Sequence, residues 1–200
     1  MDSVYHRRFR LAKTFTFPIM ISAGMLGLMA GGEGVRDLLA YNRQAILSGE
    51  IWRLLSGNFA HLDRSHALLN CLVLVLLPMI CPVRWSLGQW LTATLLISIG
   101  VALALFFFIP KLSLYVGFSG TLHGLYVMAA VQCSLKGDRL SFVLLLLIVG
   151  KLIWEHYHGA LPLDAVVSAP VITEAHLSGA LTSILLLIFI YIKQYVKQQT

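Results

Sequence analysis

The chain has 200 residues, 58% of them hydrophobic and only 12% charged, with a net charge of +6 at pH 7. That balance excludes a water-soluble domain, which needs more polar surface to cover itself. It also excludes a nucleic-acid binder, because the basic residues are dispersed among apolar runs and no soluble face could gather them. Several of those runs approach or exceed the ~18 residues that cross a hydrocarbon core, so the chain is integral to a membrane.

Taken in order, the chain begins with Arg7, Arg8, Arg10 and Lys13, followed by an apolar stretch from Phe15 to Ala30. The stretch has the outline of a signal peptide, but it reads as a retained first helix, since removing it would leave an odd number of spans. Six transmembrane helices are predicted, over about 14–31, 65–81, 87–109, 117–135, 139–157 and 174–194, as one all-α membrane domain across residues 1–200. Pro82 and Pro110 fall just past two helix ends, where proline is expected. The connection 32–64 carries Val35, Leu38, Leu39, Ile46, Leu47, Ile51, Trp52, Leu54 and Leu55. That is enough apolar surface to lie in the membrane interface.

Charge orients the bundle. The N-terminal basic cluster, Arg84, Lys136, Arg139, Lys193 and Lys197 fall in alternate connections, which the positive-inside rule assigns to the cytoplasm together with both termini. The acidic residues Glu33, Asp37, Glu50, Asp63, Glu155, Asp164 and Glu174 fall on the opposite side. Cys71, Cys81 and Cys133 lie in or beside apolar runs and read as small packing residues. They form no disulfide framework.

The second, fourth and sixth helices all enter from the outer face. Near their starts stand His66 and Asn70, Ser119, and His176. Each lies within about five residues of the entrance, roughly 3–8 Å deep at 1.5 Å per residue. Polar groups inside a membrane are costly and mark function, so four of them from three separate segments in one shallow layer point to a site.

Gly117-Phe118-Ser119-Gly120 opens the fourth helix. Flanking glycines permit a tight turn and close approach of substrate. The free N–H groups of a helix start point at developing negative charge. A serine there attacks a carbonyl if a base takes its proton, and His176 is the natural base. Gly179 and Ser183 follow His176 at small-xxx-small spacing, which lets that helix approach another closely. His66 and Asn70 are one turn apart on one helix face. With the Ser119 N–H they could donate to an oxyanion. His61, just before that helix, braces the loop. His156 and His158, beside Glu155, read as solvated outer-loop residues, and Lys151 reads as a cation reaching towards the interface. The chain lacks the local His-Glu-x-x-His spacing of a zinc site, so neither a metal nor another cofactor is expected.

In these pieces the chain resembles the rhomboid family of intramembrane serine proteases: Trp52-Arg53, His61/His66/Asn70, Gly117-Phe118-Ser119-Gly120, and Ala175-His176 with Gly179, in the family's order. The resemblance implies a Ser119–His176 dyad without an aspartate, an oxyanion hole using His66 and Asn70, and a water-filled cavity open to the outer face. Two positions depart from the family's pattern. His123 stands where an aromatic ring often packs on the imidazole, and Ser183 stands where a second glycine is common.

The stretch Ser119-Gly120-Thr121-Leu122-His123-Gly124-Leu125 is similar to the rhombosortase subfamily. This implies trimming of bacterial proteins that end in a Gly-Gly-containing motif, an apolar helix and a basic tail, at the periplasmic side of the inner membrane. His123 is then expected to support His176 or to shape the pocket. Hydrolysis and transfer to another amine share an acyl-enzyme and are not separated by sequence. A non-catalytic client-binding relative is the alternative, and it would ordinarily lack the serine or the histidine. A small transporter would show charges deeper in the membrane.

Overall fold

The computed structural model describes residues 2–161 and 171–199, with side chains from Thr14 onward. The side chains of Arg7, Arg8, Arg10 and Lys13, and Asp164, therefore lie outside the described residues. The order is α1 (Asp2–Ala30), α2 (Gly32–Leu39), β1 (Tyr41–Asn42), α3 (Arg43–Leu47), α4 (Arg53–Ser56), α5 (Arg64–Ile80), α6 (Leu87–Phe108), β2 (Leu114–Tyr115), α7 (Ser119–Ser134), α8 (Arg139–His158) and α9 (Thr173–Gln199).

Six long helices among the described residues stand where sequence places them, with differences at their ends. The first starts at Asp2 rather than 14, because no glycine or proline interrupts residues 2–13. The last continues to Gln199 through lysine and glutamine, which are good helix formers. Length and apolarity mark α6, α8 and α9 as membrane-crossing helices, and a fourth span if α1 and α2 count as one across their 116° bend. The apolar α5 is shorter, at 17 residues.

At 16 residues, α7 is shorter still, and it is buried around its whole circumference by its neighbours. Its small residues allow this. A Cβ at Gly179 on α9 would lie 1.9 Å from the Gly120 carbonyl oxygen on α7, so the two backbones touch where they cross. Ser183, where a second glycine is common, is fully buried and donates to Gly124 O at 2.6 Å. The hydroxyl thus replaces a steric gap with a hydrogen bond between the same two helices.

By contrast α8 buries only Ser141, Ile148 and Glu155, one residue every two turns. Leu144, Leu145, Lys151 and Leu152 flank these half-buried, and the remaining leucine, valine, isoleucine and aromatic side chains are exposed, as a lipid-facing helix requires.

The first long connection is held by polar contacts as well as by Tyr41 and Ile46, which pack into the core. Buried Arg53 donates to the carbonyls of Asp37 at 2.6 Å and Ala40 at 2.9 Å, and pairs with Glu50 at 2.6 Å. Trp52 donates its indole N–H to Leu38 O at 3.3 Å. Leu38, Leu47, Ile51 and Trp52 remain exposed on the outside of the loop. A two-residue antiparallel ladder, absent from the sequence reading, pairs Tyr41 with Tyr115 and so ties this loop to the segment before Ser119. It is too short to leave a periodic signal. Deeper in, Asn58 donates to Ser98 O at 3.1 Å on α6 and accepts from Thr121 at 3.2 Å on α7. The same loop is thereby fixed two residues from Ser119.

Candidate active site

Gly117 turns the chain into α7. Its φ of +128° is unfavourable for any residue with a Cβ, and such an atom would fall 2.7 Å from Cε1 of His66. This is why the helix begins at Ser119 and not at 117. The turn is pinned twice: Gly117 N–H donates to Gly57 O at 3.1 Å, and the Tyr115 hydroxyl donates to Gly117 O at 2.7 Å. Burial pushes the Tyr115 hydroxyl's pKa up, so it keeps its proton and stays a donor. Ser119 is left as the first residue of the helix, half-buried, in the turn whose N–H groups have no intrahelical acceptor.

The Gly120–Gly179 crossing brings the first turns of α7 and α9 together. Ser119 Oγ lies 3.0 Å from Nε2 of His176, which is itself only 3% exposed. On the other edge of that ring, Nδ1 lies 3.0 Å and 3.1 Å from the two carboxylate oxygens of Glu155. A carboxylate can only accept, so Nδ1 carries the proton and Nε2 turns its lone pair to the serine hydroxyl.

Glu155 corrects the sequence reading. Grouped in the sequence only with the acidic residues of the outer side, it is a buried residue in the last turn of α8, 3% exposed. Lys151 does not merely reach for the interface: it pairs with Glu155 and lies 3.5 Å from His176 Nδ1. The serine and histidine therefore do not stand as an isolated dyad. His156 and His158 are exposed, as expected, and His158 stacks on Trp154 at 4.2 Å.

His123 stacks on the His176 ring at 4.0 Å with 19° between planes, and its Nδ1–H donates to the Ser119 carbonyl at 2.8 Å. It fills the aromatic's place while adding a bond one turn back along its own helix. His123, Glu155 and His176 offer three ligand atoms within 4.8 Å of one another. The ammonium of Lys151 already sits against this cluster, however, and would repel a divalent cation there.

Facing Ser119 across the site is the first part of α5. Asp63 caps that helix by accepting from His66 N–H at 2.7 Å. Asn70 is buried, and its Nδ2 lies 2.8 Å from Nε2 of His61. His61 Nδ1 faces Phe59 O at 3.2 Å, which fixes the tautomer: Nδ1–H donates to the carbonyl and Nε2 accepts from the amide. Burial, with His66 adding to it, holds His61 down at about 4, so it is neutral at physiological pH. His61 thus orients Asn70, a contact its position outside α5 did not suggest. One amide hydrogen of Asn70 is used, and the other is free for a ligand. His66 packs edge-on against His61 at 5.0 Å, and its Nδ1 is buried without a partner.

These groups border one cavity of about 430 Å³ lined by His66, Asn70, Ser119, His123, Lys151 and His176. It continues between α5 and α8 along Leu69, Val73, Leu76, Leu144 and Ile148, and Val171 and Ile172, just before α9, also line it. Trp52 and Arg53 are not part of its lining; they hold the first loop instead. Gly120 and Gly179 act through the crossing and Gly117 through the turn.

A search of curated proteins returns no match to this chain. The rhomboid-domain family model matches residues 48–193, a segment running from the first loop through α9 and holding every group of the site. The chain is a membrane protein that belongs to the rhomboid family, whose members are in general intramembrane serine proteases acting on transmembrane substrates.

Proposed function

We propose that this chain is an active intramembrane serine protease, with Ser119 as nucleophile and His176 as general base. The observation that carries this reading is the 3.0 Å contact between Ser119 Oγ and His176 Nε2 at the head of a cavity large enough for a peptide segment. As Ser119 attacks a carbonyl, its proton passes to His176 Nε2, and the imidazolium returns it to the leaving amine. The oxyanion is met by the Ser119 N–H, the spare amide hydrogen of Asn70 and an N–H of His66. Water then releases the acyl-enzyme, or another amine takes its place. A non-catalytic client binder has no use for a serine and a histidine held at bonding distance.

In this reading the six long helices all span, both termini are cytoplasmic and the site faces the periplasm of a bacterial inner membrane. The single rhomboid-like domain covers residues 1–200, and the first loop lies in the interface on Leu47, Ile51 and Trp52. Substrates are single-span proteins whose C-terminal anchor is a Gly-Gly-type motif, an apolar helix and a basic tail. His123 supports this rhombosortase assignment, because its ring takes the aromatic's place over His176.

Labelling with a serine-directed fluorophosphonate tests the chemistry. Wild type is expected to label, and Ser119→Ala and His176→Ala to lose the signal. Equal labelling of all three would overturn the reading. Cleavage of a reporter ending in a Gly-Gly anchor, beside one in which the pair is replaced by Val-Val, tests the substrate. Equal cleavage of the two sinks the subfamily assignment alone.

A further inference from the structure

We propose that Glu155 is a positioning residue for His176 and that Lys151 tunes it, so that the centre is a chain of four groups, Lys151–Glu155–His176–Ser119. The inference rests on the protease reading and goes beyond a dyad. Glu155 meets the imidazole with both oxygens, at 3.0 Å and 3.1 Å, on the edge opposite the serine. It is one of three residues that α8 buries fully, on a helix that half-buries Leu144, Leu145, Lys151 and Leu152 and is otherwise largely apolar and exposed. Burying a carboxylate on such a helix is costly unless it is paired and hydrogen-bonded. A plain intrahelical pair with Lys151 would gain little from being buried, since exposed i,i+4 pairs form as readily. What burial adds here is contact with His176.

The carboxylate does three things to the imidazole. It keeps the proton on Nδ1, holds the ring plane towards Ser119, and offsets the positive charge when Nε2 takes the serine proton. It accepts a hydrogen bond throughout and does not itself take up the proton, which goes from Ser119 to Nε2 and then to the leaving amine. Lys151 opposes the third effect. Its ammonium contacts the same carboxylate and lies 3.5 Å from Nδ1, so it disfavours an imidazolium while neutralising the buried acid. The other groups facing His176 are Ser119 and His123 from α7 and, acting through charge, His66 from α5. None of these carries a fixed charge. Glu155 and Lys151 therefore pull the protonation of His176 in opposite directions.

That opposition is measurable. The rate of fluorophosphonate labelling of the full chain in bilayers is followed from pH 5 to 9. In Glu155→Gln the plateau rate is expected to fall about a hundredfold or more, as expected for removing the acid of a Ser-His-acid centre. Its acid limb moves lower, because the imidazolium has lost its carboxylate. In Lys151→Met the acid limb moves higher, because the opposing ammonium is gone. Glu155→Asp recovers part of the plateau.

Should Glu155→Gln not fold with Lys151 left unpaired, the neutral double variant Lys151→Met/Glu155→Gln carries the same expectation for the plateau, with its limb near that of wild type. A merely structural ion pair would not shift the two limbs in opposite directions. A Glu155→Gln or double-variant plateau within threefold of wild type, or limbs that stay put or move together, would overturn the proposal. Wild type that labels no faster than Ser119→Ala would instead take down the protease reading and this inference with it.

Discussion

The cavity has two walls built on opposite principles. On one side α7 and α9 cross with backbone against backbone, through Gly120, Gly124, Gly179 and Ser183, and nothing larger fits. On the other, α5 and α8 present separated rows of leucine, valine and isoleucine, and α8 fully buries only three of its 20 residues. Close packing permits few arrangements and holds the serine and histidine within hydrogen-bond geometry. A sparsely packed wall can open at little cost. In the proposed reading, reaction geometry belongs to the tight side and substrate entry to the loose one. Glu155 joins them, because it stands on the loose helix yet bonds to the tight one.

The largest effect is expected at the crossing. A Cβ at Gly179 meets backbone, not a side chain that could swing away. Gly179→Ala should lower unfolding free energy by about 3 kcal/mol, at the upper end for overpacking. It should also abolish fluorophosphonate labelling, since separating α7 from α9 by even 1 Å breaks the Ser119–His176 contact. Thermal unfolding in detergent reads the first effect. A variant that melts and labels like wild type would show that the crossing is not rigid after all.

Next in size is a pH effect from the α5 side. His61 is held neutral in the fold at about 4, whereas in the unfolded chain it titrates near 6.5. The unfolded chain therefore binds the extra proton between those values. This stability is present in full above pH 6.5 and is lost as pH falls towards 4, up to a ceiling of about 3 kcal/mol. Denaturant midpoints at pH 7, 5.5 and 4.5 should fall in that order, and His61→Phe should flatten the dependence. Equal slopes in the two proteins would assign the acid sensitivity to other groups. Since His61 also orients Asn70, the low-pH loss should include labelling rate before global unfolding.

Much of the site was legible in the sequence. Ser119, His176, His66 and Asn70 were placed together by depth alone, and the glycines of α7 and α9 announced a close approach. Glu155 lies at the C-terminal end of its helix, whereas Ser119, His176, His66 and Asn70 lie near helix starts, so matched depths at helix starts pass it over. An outward-running helix ends in that same layer, so a polar residue in its last turn belongs to the same set. The spacing Ser141, Ile148, Glu155 marks one face of α8, but that helix is apolar all round and its periodicity does not say which face turns inward. Polar residues on a lipid-facing helix would have said so, with Lys151 one turn before Glu155 as the second sign. The two-residue ladder and the His61–Asn70 bond arise from loop geometry, which leaves no repeating pattern to read.

The smallest expected effect tests the loose wall directly. Leu147 on α8 is 65% exposed and is not among the residues that line the cavity. Lipid tails are as apolar as leucine, so removing it forfeits few protein contacts. Leu147→Ala should change unfolding free energy by less than about 0.5 kcal/mol and leave the labelling rate unchanged. Against the loss at Gly179, this would put a scale on the difference between the walls. A large loss at Leu147 would mean instead that the outer face of α8 is packed in the membrane against a protein surface, and a helix held from both sides could not be the one that yields to substrate.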